Sequence, residues 1–315
     1  MASDGRTLIS HLPHRIGIIY NPFAGGLKGA GRARLYKAVR VLQDNGSHVE
    51  LFATPGPQQA GELARKAADS GCELILAAGG DGTINEAVNG IAGSNVQFGI
   101  LPAGTANVLA NEIGFSNRPD HAARQLLHAV PVRIALGLLE RPDRKNHYFV
   151  LMAGVGLDAR IVYELDVDLK NRIGKLAYWH GGLRQFGRPV PRFHIGVNGA
   201  DYCASFALIT RVRNYGGDFE IARQVRLTDN DFEAVIFQNN QWQDYVRFFG
   251  AVMTNRLYTT EGVTVTRATR IEADSSQDQR IYVQVDGESQ GALPASISVV
   301  PDALTLLMPK RYANA

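Results

Sequence analysis

Three short apolar runs in the first third of the chain each end in a glycine-bearing turn that leads into a segment of helical period. Arg15 to Tyr20 (RIGIIY) runs into Asn21-Pro22-Phe23-Ala24-Gly25-Gly26. Leu74 to Ala78 (LILAA) runs into Gly79-Gly80-Asp81-Gly82-Thr83, and Gln97 to Leu101 into Pro102-Ala103-Gly104-Thr105-Ala106-Asn107. Continuous apolar runs of this length suit strands buried on both faces. His48 to Thr54 reads as a further strand. Residues 30 to 45 carry Leu35, Val39 and Leu42 on one helical face, and residues 57 to 70, 83 to 91 and 106 to 114 read as helices. The alternation predicts a parallel sheet covered by helices on both faces. Ligands of such sheets bind at the carboxyl ends of the strands, where the three turns lie.

The rhythm changes after Pro131. Segments such as VRIALGLLE, HYFVLMAGVG, RFHIGVNG, YCASFALITRV, VTVTRATRIEA and RIYVQVDGE are short, β-branched or aromatic, and many are parted by Gly, Asp or Asn turns. They predict an all-β sandwich interrupted by helical segments around 168 to 186 and 241 to 256. With 315 residues, two domains are the default expectation. The formal charge of +3 gives no argument for a nucleic-acid partner. No apolar run approaches the roughly 20 residues that cross a bilayer, and MASDGRTLISHLPHR has no apolar core of signal-peptide length. Cys72 and Cys203 lie far apart in sequence, which disfavours a disulfide framework or a zinc site and makes a reducing cytosol the simplest compartment. The eight histidines show no zinc-like spacing and no pairing with a nucleophile, so none is given a catalytic role.

The turns suggest chemistry. Glycines let phosphate oxygens approach backbone N–H groups, and a following helix offers its own unpaired donors and the positive end of its dipole. Asp81 suits magnesium, directly or through water. Taken alone, the same five residues equally suit a strand-to-helix junction with Thr83 as the N-cap. Three such turns at one sheet edge favour a phosphate site. There is no GxxxxGK[ST], which excludes the ordinary P-loop, and no GxGxxG after the first strand, which weakens a dinucleotide oxidoreductase. Late in the chain, Asp286-Gly287-Glu288 ends the strand RIYVQV. Alternation along an extended segment puts both carboxylates on one side, while Asp-Gly is also a strong hairpin signal. Asp229-Asn230-Asp231, by itself, reads as a solvated turn.

With GGDGTINE at 79–86, PAGTANVLA at 102–110, AGVGLDA at 153–159, NYGGDFEIA at 214–222 and VDGE at 285–288, the chain resembles the diacylglycerol kinase catalytic family, which includes bacterial lipid kinases and sphingosine kinases. The likeness runs over nearly the whole chain. It implies an α/β nucleotide-binding domain of phosphofructokinase and NAD kinase type over 1–131 and a β-sandwich lipid-substrate domain over 132–301. The tail 302–315 is expected to pack back on the first domain, with the active site in the cleft between the two. It implies ATP contacts at Gly79, Gly80, Asp81, Gly82, Thr83, Ile84, Asn85, Thr105 and Asn107, with Asn21 and Thr54 as weaker candidates. The family's proposed base falls on Asp286 or Glu288, the other acid holding Mg2+ through water. A structural Mg2+ would sit on Asp229, Asp231 and the Arg226 carbonyl, with Asn230 where glycine is usual.

Asp158 would orient a substrate hydroxyl or headgroup, or else cap the following helix. Residues 176 to 193 interleave Tyr178, Trp179, Phe186 and Phe193 with Arg184, Arg188 and Arg192, which suits a lipid interface as well as an amphipathic helix packed on its own domain. The likeness departs at Val108-Leu109, where many members carry an acid and an aromatic residue. The expected activity is ATP-dependent phosphorylation of a lipid hydroxyl, that of diacylglycerol or a related lipid alcohol or sphingoid base, in phospholipid biosynthesis. The expected setting is the cytoplasmic side of a membrane surface, without crossing it and without nucleic acid; homodimerisation stays open. The alternatives are an NAD kinase, which shares GGDGT, and a nucleotide-dependent lipid-binding or regulatory protein that has lost catalysis.

Overall fold

In the computed structural model, which describes residues 12–156, 190–215, 219–275 and 280–315, the apolar runs become neighbouring parallel strands. They are β1 (Arg15–Tyr20), β2 (His48–Ala53), β3 (Leu74–Gly79) and β4 (Gln97–Pro102), in the order β2-β1-β3-β4. β3 is central and buried at all six positions, the reason its sequence has no polar alternation. The helices α1 (Ala30–Asp44), α2 (Ala60–Asp69), α3 (Asp81–Ile91), α4 (Val108–Ile113) and α5 (Pro119–Leu126) connect these strands and follow them. α1 buries Leu35, Ala38, Val39 and Leu42, a three- and four-residue spacing that makes one apolar stripe. Leu35, Val39 and Leu42 each contribute about 1.5–3 kcal/mol by leaving water. α1 packs on α5, and α2 on α3.

Two helix starts differ from the sequence expectation. α3 begins at Asp81 rather than Thr83, with Gly80 as an extended N-cap that makes no side-chain capping bond. Thr83 therefore lies in the first turn and is not the cap. α4 begins at Val108 because Asn107 takes left-handed backbone angles, φ 47° and ψ 49°. Glu86 of α3 does a capping job for its neighbour: its two carboxylate oxygens accept the backbone N–H groups of Gln58 and Ala60, each at 2.9 Å, at the start of α2.

The expected sandwich of the second half is present, and one of its sheets is continuous with the parallel sheet. The 15-residue strand β18 (Ala295–Pro309) pairs parallel with β4 at Thr305–Gln97 and Leu306–Phe98. It also pairs antiparallel with β5 (Ala129–Arg141) along most of its length, and with β15 (Arg270–Asp274) at its start. β6 (Arg144–Phe149) hangs on β5, while β8 (Phe193–Val197) and β9 (Ala200–Ala204) extend the sheet beyond β15, making ten strands. Facing its antiparallel half is a six-stranded sheet of β7 (Met152–Gly156), β10 (Phe206–Thr210), β13 (Phe232–Phe237), β14 (Val263–Ala268), β16 (Tyr282–Val285) and β17 (Glu288–Ala292). Phe149, Val155, Phe193, Ile209, Phe232, Ile271, Val283 and Ile297 fill the space between the two sheets. Phe193, at the end of the aromatic and arginine segment that suits a lipid interface as well as a packed helix, lies in β8 and is a core residue with 1% exposure.

The outer face of the six-stranded sheet carries α6 (Trp242–Met253), whose Tyr245 and Phe248 rings lie 5.0 and 4.8 Å from the Phe237 ring. A short pair, β11 (Asn214–Tyr215) and β12 (Phe219–Glu220), lies next to α4, and α7 (Lys310–Ala313) closes the chain. Among the described residues no helix is long and apolar enough to cross a membrane.

Candidate active site

The carboxyl ends of β1, β3 and β4 bring the three glycine turns into one wall. Asn21 N donates to Ala78 O at 3.1 Å, Gly26 N to Ala103 O at 2.9 Å, and Ala103 N to Gly79 O at 2.8 Å. Two of the turns touch backbone to backbone: a methyl group on Gly104 would lie 2.5 Å from the Gly80 Cα. No other residue fits there without moving a turn. Asn107 shapes its own turn from behind. Its Oδ1 accepts Gly104 N at 2.8 Å, and its Nδ2 donates to Gly104 O and Asn117 Oδ1, each at 3.1 Å. Thr105 stands exposed at the tip of that turn. Asn21 Oδ1 accepts Phe23 N at 2.9 Å and holds the first turn, which leaves the Phe23 ring largely exposed at 68%. Thr54, just past β2, is buried and donates its N–H to Tyr20 O at 2.9 Å.

Gly80, Asp81 and Gly82 meet this wall at the N-terminus of α3, where a helix presents unpaired N–H groups. The next three residues turn inward, beginning with Thr83, which is buried. Ile84 belongs to the hydrophobic core at 3% exposure, and Asn85 is 1% exposed with its amide committed inside the protein. Of the expected nucleotide contacts, the side chains of Ile84 and Asn85 therefore do not face the open turn.

Asp286 and Glu288 do not share one side of an extended segment. Asp286 lies in the two-residue turn between β16 and β17, where it (φ 47°) and Gly287 (φ 82°) both take left-handed angles, and Glu288 begins β17 opposite Val285. The hairpin separates the two acids. Asp286 is buried, and its carboxylate accepts four N–H groups: Val150 and Asn85 Nδ2 on Oδ2 at 2.9 and 2.8 Å, Leu151 and Met152 on Oδ1 at 2.9 Å each. Burial pushes its pKa up, and the four donors pull it back. Glu288 points the other way, across the cleft to the glycine wall: a methyl group on Gly82 would lie 2.7 Å from its Oε1. Gln284 Oε1 fixes the turn by accepting Gly287 N at 2.8 Å.

The metal-ligand set expected at Arg226, Asp229 and Asp231 is occupied by the protein itself. Arg267 donates through Nη2 to Asp229 Oδ2 at 2.8 Å and through Nε to Asp231 Oδ2 at 2.9 Å, and its Nη2 also meets Asp231 Oδ1. The Arg226 carbonyl accepts Asp229 N at 2.9 Å, and Asp229 Oδ2 accepts Arg226 N at 3.0 Å. From behind, the fully buried Arg211 donates Nη2 to Leu227 O at 2.8 Å and to Asp229 O at 3.1 Å. Burial lowers its pKa to about 10, opposed by Asp229 and Asp231, so it stays charged at neutral pH. Two guanidinium groups balance two carboxylates here, and a resident divalent ion does not fit the set as it stands. Asp158 and the segment 157–189 lie outside the described residues. Arg192 is described, and its Nη2 donates to Cys203 O at 3.4 Å and Gln238 O at 3.3 Å.

Glycine turns from an α/β sheet on one side of a cleft and a carboxylate from a β-sandwich on the other define a phosphotransferase with an alcohol acceptor. Residues 15–139 match the model of the diacylglycerol kinase catalytic domain. Residues 152–308 match that of the YegS C-terminal NAD kinase beta sandwich-like domain. The chain belongs to the diacylglycerol kinase catalytic family, a family of lipid kinases. It is 28% identical over 307 residues to a diacylglycerol kinase of Bacillus subtilis strain 168, covering 95% of this chain and 98% of that one. It is 27% identical over 310 residues to a diacylglycerol kinase of Mycobacterium tuberculosis strain H37Rv, covering 94% and 97%. Its fold matches the crystal structure of a diacylglycerol kinase from Bacillus anthracis strain Sterne with a TM-score of 0.75 at 21% identity, covering 95% and 98%.

The sequence reading passed over His147, Asn89, Arg211 and Arg267. None of them sits in a recognisable local motif, and each has a partner from more than 10 residues away.

Proposed function

We propose that this chain transfers the γ-phosphoryl group of ATP to the hydroxyl of a lipid alcohol, with diacylglycerol as the first substrate to test and Glu288 as the base. The observation that carries the reading is the Glu288 carboxylate lying against Gly82 of the glycine wall. A group held there is within reach of both a bound γ-phosphate and an incoming hydroxyl. Phosphate oxygens would be held by backbone N–H groups of Gly80 to Thr83 and of the 104–107 turn, with Thr105 at its tip and the β1 turn at Asn21 completing the wall. Thr54 stands behind that turn.

Glu288 takes the proton from the lipid hydroxyl as its oxygen bonds to the γ-phosphorus. The bond from that phosphorus to the β,γ-bridging oxygen breaks, and ADP leaves with those electrons. Magnesium arriving with ATP would neutralise the β- and γ-phosphate oxygens, and Asp81, an oxygen donor on the wall, is the side chain to hold it. Asp286, saturated by four N–H donors, serves to fix the hairpin rather than to take a proton. Residues 1–131 with the tail 302–315 make up the nucleotide side in this reading, and 132–301, Asp158 included, the lipid side. The protein then works as a visitor at a membrane surface.

Incubating the protein with γ-labelled ATP, Mg2+ and a panel of diacylglycerol, monoacylglycerol, sphingoid base and NAD tests this. Label in a lipid supports it. Label in NAD favours the NAD kinase reading, and ATP binding without transfer to any acceptor favours an inactive nucleotide-binding protein.

A further inference from the structure

Asp286 is a buried carboxylate with no ion-pair partner among the described residues, so dipoles orient it. Three of its donors are successive backbone N–H groups of residues 150–152, which link β6 to β7. The fourth, Asn85 Nδ2, comes from α3 on the opposite side of the cleft. Asn85 also donates to Tyr148 O at 3.1 Å, and its neighbour one turn on, Asn89, donates to Tyr148 O and accepts Tyr148 N, each at 2.8 Å. The side of α3 that follows the glycine turn is thus stitched to β6.

The orientation of the Asn85 amide has one consistent solution. Asp286 and Tyr148 O are acceptors, so both face Nδ2, and Oδ1 must look the other way. There it meets His147 Nε2 at 2.8 Å, the shorter of its two contacts, and accepts Asn89 Nδ2 at 3.2 Å. An amide oxygen only accepts, so His147 must carry its proton on Nε2. The resulting chain runs from His147 through Asn85 to Asp286 and the hairpin that ends at Glu288. It crosses from the β side of the cleft to α3 and back.

We propose that His147 is a positioning residue for phosphoryl transfer, its Nε2–H locking the Asn85 amide so that Asn85 holds the Asp286 turn and thereby aims Glu288 at the glycine wall. The inference rests on the reading of Glu288 as the base. The hydrogen-bond contacts of the His147 ring go to Asn85 and Asn89 of α3 rather than to the glycine turns, so its removal should misaim the base without loosening the nucleotide.

His147→Leu removes the donor, and His147→Gln restores an N–H without a titrating ring. The expected result is a kcat at least tenfold lower in His147→Leu, KM for ATP within twofold of wild type, and most of the rate regained in His147→Gln. A His147→Leu rate within twofold of wild type would overturn the proposal. So would an equal loss in both variants, or a KM that rises in step with the fall in kcat. Should His147→Leu fail to fold, nitrogen-15 NMR of wild type at neutral pH still decides: a proton on Nε2 is required, and a neutral ring protonated on Nδ1 alone contradicts it. Glu288→Gln is run alongside. If that variant turns over at the wild-type rate, the base assignment has failed. If it is inactive while His147→Leu is not, the positioning role alone has failed.

Discussion

Two acids two positions apart have opposite environments, and the Asp-Gly turn is the cause. With φ positive at both Asp286 and Gly287, the chain reverses within two residues, so Asp286 turns into the seam while Glu288 starts the returning strand beside the cleft. The sequence made the turn legible, because Asp-Gly after an alternating run is its usual signal. It could not reveal the burial of Asp286, since the donors come from residues 134 to 201 positions away. His147 was missed for the same reason: nothing local marks a histidine whose partner is 62 residues distant. Asp286→Asn should therefore act on stability as well as rate. An amide in place of the carboxylate sets an N–H against the backbone donors and leaves at least one of them unmet, at a cost of about 2–4 kcal/mol. Urea unfolding of the variant beside wild type measures it; an unchanged midpoint would mean that the four bonds carry little of the seam.

At the scale of elements, the strands β1 to β4 were readable because doubly buried parallel strands leave no polar alternation to confuse the period. α3 starts two residues before Thr83, the position the sequence offers as its cap. A helix capped by an extended glycine has no side-chain signature, and Thr83 imitates one. The approach of the turns to each other was implied by composition and fixed only by packing. Gly104→Ala tests that packing. Its methyl would overlap the Gly80 backbone at 2.5 Å, and separating the turns should weaken ATP binding by about tenfold, on the order of 1.4 kcal/mol, as calorimetry would record. Resemblance makes the 226–231 loop a magnesium site, whereas the guanidinium that meets its two carboxylates comes from β14, 36 to 38 positions later. Thermal melting should then be indifferent to EDTA or added Mg2+ in the absence of nucleotide. Arg267→Ala should lower stability by about 1–2 kcal/mol, the low end for charged hydrogen bonds because the cluster is half-buried. A melting point that rises by several degrees with Mg2+ alone would restore a metal to this loop.

Across the whole molecule, β18 belongs to both halves. It pairs with β15 at its start and with β4 at its end, so one ten-stranded sheet runs beneath the cleft and sets the distance between its walls. Pairing of residue 305 with residue 97 has no trace in local periodicity, and so the continuity of the sheet was beyond sequence reading. The chain end adds a second tie. Tyr312 donates to Glu112 Oε1 of α4 at 2.7 Å and accepts Leu227 N at 3.3 Å, while the Arg226 guanidinium lies 5.2 Å over its ring. Tyr312→Phe keeps the ring and removes both bonds. About 1 kcal/mol should be lost, seen as a melting point roughly 2 °C lower, with the fold unchanged by circular dichroism. No change would show that the ties are redundant with the sheet.

The account stands most directly on Glu288 facing the glycine wall. The measurement is label transfer from γ-labelled ATP to diacylglycerol by wild type and by Glu288→Gln, with ATP affinity of both read by calorimetry. The account predicts transfer by wild type, a loss of about a hundredfold to ten-thousandfold in the variant, and an ATP affinity unchanged within a factor of two. A variant that transfers label at the wild-type rate, or one whose lost activity is matched by lost ATP binding, would contradict it.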